Sequence, residues 1–208
     1  FGVFLNALSG TYAYVKQHRV YFKAAIPFAI ATLPGAILGS LVSDYFTGPT
    51  FSLSYGIFIL IISAIMYWNS SNKKAIATNF DETLFIARKK LGIILSMFVG
   101  FISSIFGIGG GIIHVPVMIY ALAFPPHMAT ATSHFVLAVS SFMGVTSHIF
   151  LNHIVWIPAL AVGFGAVIGA QIGARLSKKT KPRSIILLLC ISLFLLGIRM
   201  IVESNLLF

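Results

Sequence analysis

Residues 106–116 read FGIGGGIIHVP, with Gly107, Gly109, Gly110 and Gly111 packed into five positions of one of the most apolar regions of the chain. The flanks, LGIILSMFVGFISSI before and IIHVPVMIYALAF after, have the composition of membrane helices. Clustered glycine weakens a helix, and a broken helix in hydrocarbon leaves backbone amides and carbonyls without partners. Such backbone survives only inside protein or beside a watery cavity. One reading of these glycines is a close-packing seam between helices, in which small residues recur every fourth position. The cluster is denser than that spacing, which favours a cavity-lining break. Helix restarting near Ile112 would then offer free N–H groups and partial positive charge to an anion.

Composition sets the frame. The chain has 208 residues and is 58% hydrophobic and 9% charged, with a mean hydropathy of +0.99. A soluble domain of this size has too little interior to hide so much apolar surface. Apolar runs separated by breakers fall at 1–15, 24–43, 51–69, 91–123, 131–150, 156–176 and 184–204, most of them close to the roughly 20 residues that span a bilayer. The expected fold is therefore an all-α polytopic integral membrane protein of the cell membrane. The formal net charge of +10 sits mostly in short connections, where Lys and Arg set orientation. A positive field at a pore mouth would also concentrate anions. Nothing accompanies the charge that points to nucleic acid. Cys190 is the single cysteine, in an apolar run, and reads as a small buried hydrophobe.

The two parts of the chain resemble each other. Shifted by 134 positions, Phe1–Ser43 lies without a gap on Phe135–Ser177, and Gly10, Gly35, Ala36, Gly39 and Ser43 fall on Gly144, Gly169, Ala170, Gly173 and Ser177. This divides the chain into a first repeat, 1–69, a polar linker, 70–90, and a second repeat, 91–208. Loop 16–23 carries Lys16, Arg19 and Lys23, whereas its partner 150–156 has no Lys or Arg. Loop 44–50 carries only Asp44, whereas its partner 177–183 has Lys178, Lys179, Lys181 and Arg183. Equivalent loops thus face opposite sides, the pattern of inverted repeats. Between loops 16–23 and 150–156 the chain must then cross an odd number of times. Three ordinary spans lie between them, so 91–123 contributes an even number. Two half-length helices meeting at the glycines, a re-entrant hairpin, would do so; the alternative is one tilted, broken span. Residues 91–134 have no first-half partner, so the repeat also predicts further residues before Phe1 with a second glycine-rich hairpin.

Polar residues mark a second region. In PPHMATATSHF, 125–135, Pro125 and Pro126 end one helix and the stretch Thr130-Ala131-Thr132-Ser133 begins another, where hydroxyls ordinarily serve as caps. Ser133, Ser140 and Ser147 recur every seventh residue, as do His134, Ser141 and His148, with Gly144 among them. Such a stripe either glues helices together or lines a polar path. His134 and His148 are too far apart along a helix to share one metal ion, and no acidic ligand pair is near. Histidine as a proton relay or an anion donor fits better. The small-residue rows Ala31, Gly35, Gly39 and Ala161, Gly165, Gly169, Gly173 read as packing seams. No acidic residue lies deep in any run, which counts against cation transport.

GIGGGIIHVPVMIYALAFPPHMATATSHF, followed by a small-residue helix, resembles the TauE/SafE family of sulfite exporters and related anion permeases. The resemblance covers nearly the whole chain; the first-half copy of the signature is missing from it. It implies a permease for sulfite, sulfonates or similar anions, with no catalytic residue, no metal and no cofactor. Carried onto this sequence, the signature positions are Gly107, Gly109, Gly110, Gly111, Pro116, Thr132 and Ser133. His114 and His134 are this chain's own, and with Ser141 and His148 they complete the expected substrate-binding set. The partners implied are the bilayer and a small anion, with a homo-oligomer left open. Two rivals remain: an intramembrane Ser/His enzyme, for which no GxSxG element or acidic orienter appears, and a helical scaffold using the glycines only for packing.

Overall fold

The computed structural model describes residues 1–43, 49–71, 80–106, 110–150 and 155–206. Every regular element among them is helical: α1 (Gly2–Lys16), α2 (Phe22–Ser43), α3 (Pro49–Ser71), α4 (Glu82–Ile105), α5 (Gly111–Pro116), α6 (Pro126–Phe150), α7 (Trp156–Lys179) and α8 (Pro182–Leu206). A π-helical stretch, Val117–Ala121, continues α5. The stretches Phe22–Gly39, Phe51–Ser70, Trp156–Lys179 and Pro182–Ser204 are long and apolar enough to cross a membrane.

Local chemistry fixes the helix ends. Asp81 caps α4, its carboxylate accepting from the amides of Thr83 (2.9 Å) and Leu84 (3.2 Å). This cap makes Glu82–Lys90, within the polar stretch 70–90, the first turns of a helix that already buries Phe85. Pro126 and Pro182 open α6 and α8, where proline's missing amide costs nothing. α6 therefore starts well before residue 131, and Thr132 and Ser133 lie inside it instead of at its start.

Contacts give each helix a direction. At one end of the bundle, which we call the basic end, Lys23 pairs with Glu82 (2.6 Å). There Gln17 donates to the Ala174 carbonyl (3.2 Å) and Arg19 to Ser177 (3.2 Å). At the other end Phe1 meets Trp156 (5.9 Å between ring centres) and Phe51 meets Phe106 (5.2 Å). α1 and α7 therefore run parallel. α6 is antiparallel to α1, since Phe4 meets Phe142 and Tyr14 meets His134. α2 and α4 are parallel. α3 and α8 are antiparallel, joined by Ser63 donating to the Cys190 carbonyl at 2.9 Å. The helix ends recur at the offset of 134: α1 and α6 end at 16 and 150, α2 and α7 start at 22 and 156, and α3 (49–71) falls within one residue of α8 (182–206). Each of these three pairs runs in opposite directions.

Between the end of α4 and the start of α5 the chain reverses direction. α4 climbs away from the basic end, and the returning segment lies along it. His114 reaches Ser96, Leu122 lies against Gly92, and Arg88 donates to the Ala121 carbonyl at 2.9 Å. The hairpin is not two half-length helices, however. α4 is a full 24 residues and the return is a six-residue helix with its π-helical extension. The asymmetry has a packing cause. Gly92 and Gly100 do not break α4 but admit Phe28 and the Thr32 backbone of α2, whereas Pro116 removes an amide from the return.

Candidate functional site

α5 lies between α4 and α6, and the polar atoms gathered there define the site. Gly110 sits at the foot of α5, where a methyl added to it would lie 3.4 Å from Val99 and 3.6 Å from the Ser103 hydroxyl. Its φ is −59°, a value open to any residue, and that spacing is ordinary contact. Gly111 faces Leu137 of α6, which an added methyl would approach to 3.1 Å. Gly107 and Gly109 lie outside the described residues.

One turn on, His114 is buried at 1% exposure. Its Nε2 lies 3.0 Å from the Ser96 hydroxyl, which is itself 2.7 Å from the Gly92 carbonyl. A hydroxyl has one proton to give. With that proton on Gly92, His114 donates through Nε2 and its Nδ1 is left as a bare acceptor. That Nδ1 and the Ser103 hydroxyl are buried without a hydrogen-bond partner. Unpaired buried polar atoms each cost on the order of 1–3 kcal/mol, so both positions carry a cost that packing alone does not explain. Pro116 keeps the return open by withholding its amide from the ladder.

The α6 residues divide between two neighbours. Ser133, fully buried, donates to the Thr130 carbonyl (3.0 Å) and stands one turn from Leu137 on the flank facing α5. Ser141 donates to the Leu137 carbonyl at 2.6 Å. Thr132 accepts from the Tyr21 amide (3.1 Å), which ties the start of α2 to α6. His134 faces α1 instead: its ring packs edge-on to Tyr14, occupies the space over Gly10 and leans on the Thr130 carbonyl at 3.2 Å. The unpartnered Thr11 hydroxyl belongs to the same helix face as Tyr14. α6 contains His148, whose side chain lies outside the described residues. The structure thus places Gly110, Gly111, His114 and Pro116 together on α5, with Ser133 one turn before the Leu137 that Gly111 faces, and puts His134 on a second, α1-facing side.

Ser96 and Ser103 were not expected from the sequence. Gly92, Ser96, Gly100 and Ser104 form a row of small residues on α4, and serine in such a row looks like packing until a buried imidazole is found opposite it. Among the described residues the carboxylates are Asp81 and Glu82 at the start of α4 and Glu203 in the last turn of α8, where it accepts from Arg199 (2.9 Å).

The family model described as Sulfite exporter TauE/SafE matches residues 1–200. The chain belongs to the TauE/SafE family. Among its relatives are the "Probable membrane transporter protein YunE" of Bacillus subtilis, 34% identical over 213 residues, covering 97% of this chain and 78% of that one. Another is a "Probable membrane transporter protein" of Methanocaldococcus jannaschii, 27% identical over 97% of this chain and 76% of its own. A third, from a Sinorhizobium species, is 26% identical over 95% and 74%. No solved structure matches. With its long apolar helices, this TauE/SafE member is a membrane transporter.

Proposed function

We propose that this transporter moves small anions of the sulfite or organosulfonate kind by alternating access, and does no covalent chemistry. The observation that carries the reading is the buried Ser103 hydroxyl, a donor without a partner that would lie 3.6 Å from a methyl placed on Gly110 at the foot of α5. A desolvated anion needs hydrogen-bond donors and no competing negative charge. The Ser103 hydroxyl and the amides opening α5 would replace its water, joined by Ser133 once its proton turns from the Thr130 carbonyl, and Pro116 would keep the backbone irregular there. Thr132, His134, Ser141 and His148 would extend the polar path along α6, with Gly107 and Gly109 in the turn. The family's printed description supports sulfite or a chemically similar anion. The opposed directions of α1/α6, α2/α7 and α3/α8 support two inverted halves, 1–69 and 91–208, that rock about the break.

The test is flux in proteoliposomes containing the purified chain, comparing sulfite, methanesulfonate, sulfate and chloride. Saturable sulfite or methanesulfonate flux, well above chloride and above empty liposomes, is expected. Equal rates for all four, or none above empty liposomes, would overturn the reading.

A further inference from the structure

We infer that Arg19 is a docking point for one soluble oxyanion, of the sulfite, sulfonate or phosphate type, at the basic end of the bundle. The chemistry of the position stands by itself; its purpose, first capture of the solute, rests on the anion reading above. The turn after α1 places the residue. The Arg19 amide donates to the Tyr14 carbonyl (3.1 Å) and the His18 amide to the Val15 carbonyl (2.9 Å), the paired bonds that close a helix around a left-handed residue. That residue is His18, with a φ of 55°, where glycine is the usual occupant. The chain thereby folds back over the end of α1, and the guanidinium lies where α1, α6 and α7 meet.

A guanidinium has five N–H donors. Nη1 uses two, one to the Gln17 side-chain oxygen (3.0 Å) and one to the Ser177 hydroxyl (3.2 Å), and Nη2 uses one, to His127 Nδ1. The Nε–H and one Nη2–H remain. Both nitrogens are joined to Cζ, the arrangement with which arginine grips an oxyanion through two bonds. All three acceptors are uncharged. Among the described residues the ion pairs are Lys23–Glu82 and Arg199–Glu203, so no carboxylate neutralises Arg19 there. Burial lowers its pKa, as expected of a cation that has given up water. The competing role is a cap for the helix ends, where cations are favourable. Gln17 already fills that role on α7, donating to the Ala174 carbonyl at 3.2 Å, whereas the guanidinium bonds only to side chains. Lys16, Lys178 and Lys179, exposed on the last turns of α1 and α7, add to the positive field around it. Deeper along α1 the Thr11 hydroxyl is buried without a partner, a further free donor on the same helix.

The test is arginine modification of the purified protein in detergent, with phenylglyoxal as reagent and peptide mass spectrometry to resolve each site. Expected is a several-fold slowing at Arg19 by methanesulfonate or phosphate, relative to chloride at equal ionic strength, with Arg183 and Arg199 unaffected. Equal rates in all three salts, or parallel slowing at all three arginines, would overturn the inference. Protection in nanodiscs by phosphatidylglycerol over phosphatidylcholine, with none from free anions, would also overturn it and assign the fork to a lipid headgroup. This assay needs no flux, so it can fail while the anion reading stands, and the reverse. In flux measurements Arg19→Lys keeps the charge and loses the fork. The half-saturating anion concentration should then rise with the maximal rate little changed; a fall in maximal rate alone would make Arg19 structural and overturn its part in capture.

Discussion

At the basic end of the bundle His127 shows how single residues are constrained. Its Nδ1 accepts from the Arg19 guanidinium, which also donates to Gln17 (3.0 Å) and Ser177 (3.2 Å). Burial first, and the Arg19 charge second, hold the imidazole below its ordinary value of 6.5. A histidine with a lowered folded pKa contributes stability that is intact above the unfolded value and is lost as pH falls through the folded one. The protein is therefore expected to melt lower in detergent as pH drops from 7.5 to 5.0, and His127→Gln, which retains an acceptor without a charge to gain, to flatten that dependence. An unchanged slope in the variant would show that Arg19 and His127 are not coupled. His114 is the contrasting residue: buried and bonded to Ser96. Its position in the glycine stretch was legible from the sequence. Its partner was not, because Ser96 comes into reach only through the reversal of the chain between α4 and α5.

The elements were largely legible because long apolar runs between breakers leave few alternatives. The runs 24–43, 51–69, 156–176 and 184–204 became α2, α3, α7 and α8 with ends shifted by only a few residues. The start of α4 was missed because its first turns are polar, and polarity there reflects a helix end projecting from the bundle instead of a loop. Thr132 and Ser133 were placed at a helix start because hydroxyls commonly cap; Pro126 starts the helix earlier, so that Thr132 accepts from the Tyr21 amide and Ser133 bonds back to the Thr130 carbonyl of its own helix. The polar contacts between α1 and α7 also escaped notice. Ser9 donates to the Val167 carbonyl (3.0 Å), and Gln171 donates to Ser9 (2.8 Å to its carbonyl, 2.9 Å to its hydroxyl). The glycines divide at this scale into seam and turn. Gly35→Ala forces a methyl into the α4 backbone and should cost about 1–3 kcal/mol in denaturant unfolding. Gly110→Ala, whose methyl would sit 3.4 Å from Val99, should stay within about 0.5 kcal/mol. Equal losses would contradict that division.

For the whole molecule, the account joins two facts that composition alone could not connect. One is a bundle whose equivalent helices α1/α6, α2/α7 and α3/α8 run in opposite directions. The other is the reversal of the chain between α4 and α5, beside which the Ser103 hydroxyl is buried without a partner. A bundle can have the first without transporting anything; on the proposed reading the second would give a desolvated anion somewhere to stop. The most direct measurement is the reactivity of Ser103→Cys, in a Cys190→Ala background, toward a membrane-impermeant, negatively charged thiol reagent in proteoliposomes. The account predicts that this position is modified from the aqueous phase, and that whichever anion shows the fastest flux slows the modification at concentrations that saturate transport. Modification only by a lipid-soluble reagent, or at a rate indifferent to that anion, would contradict it.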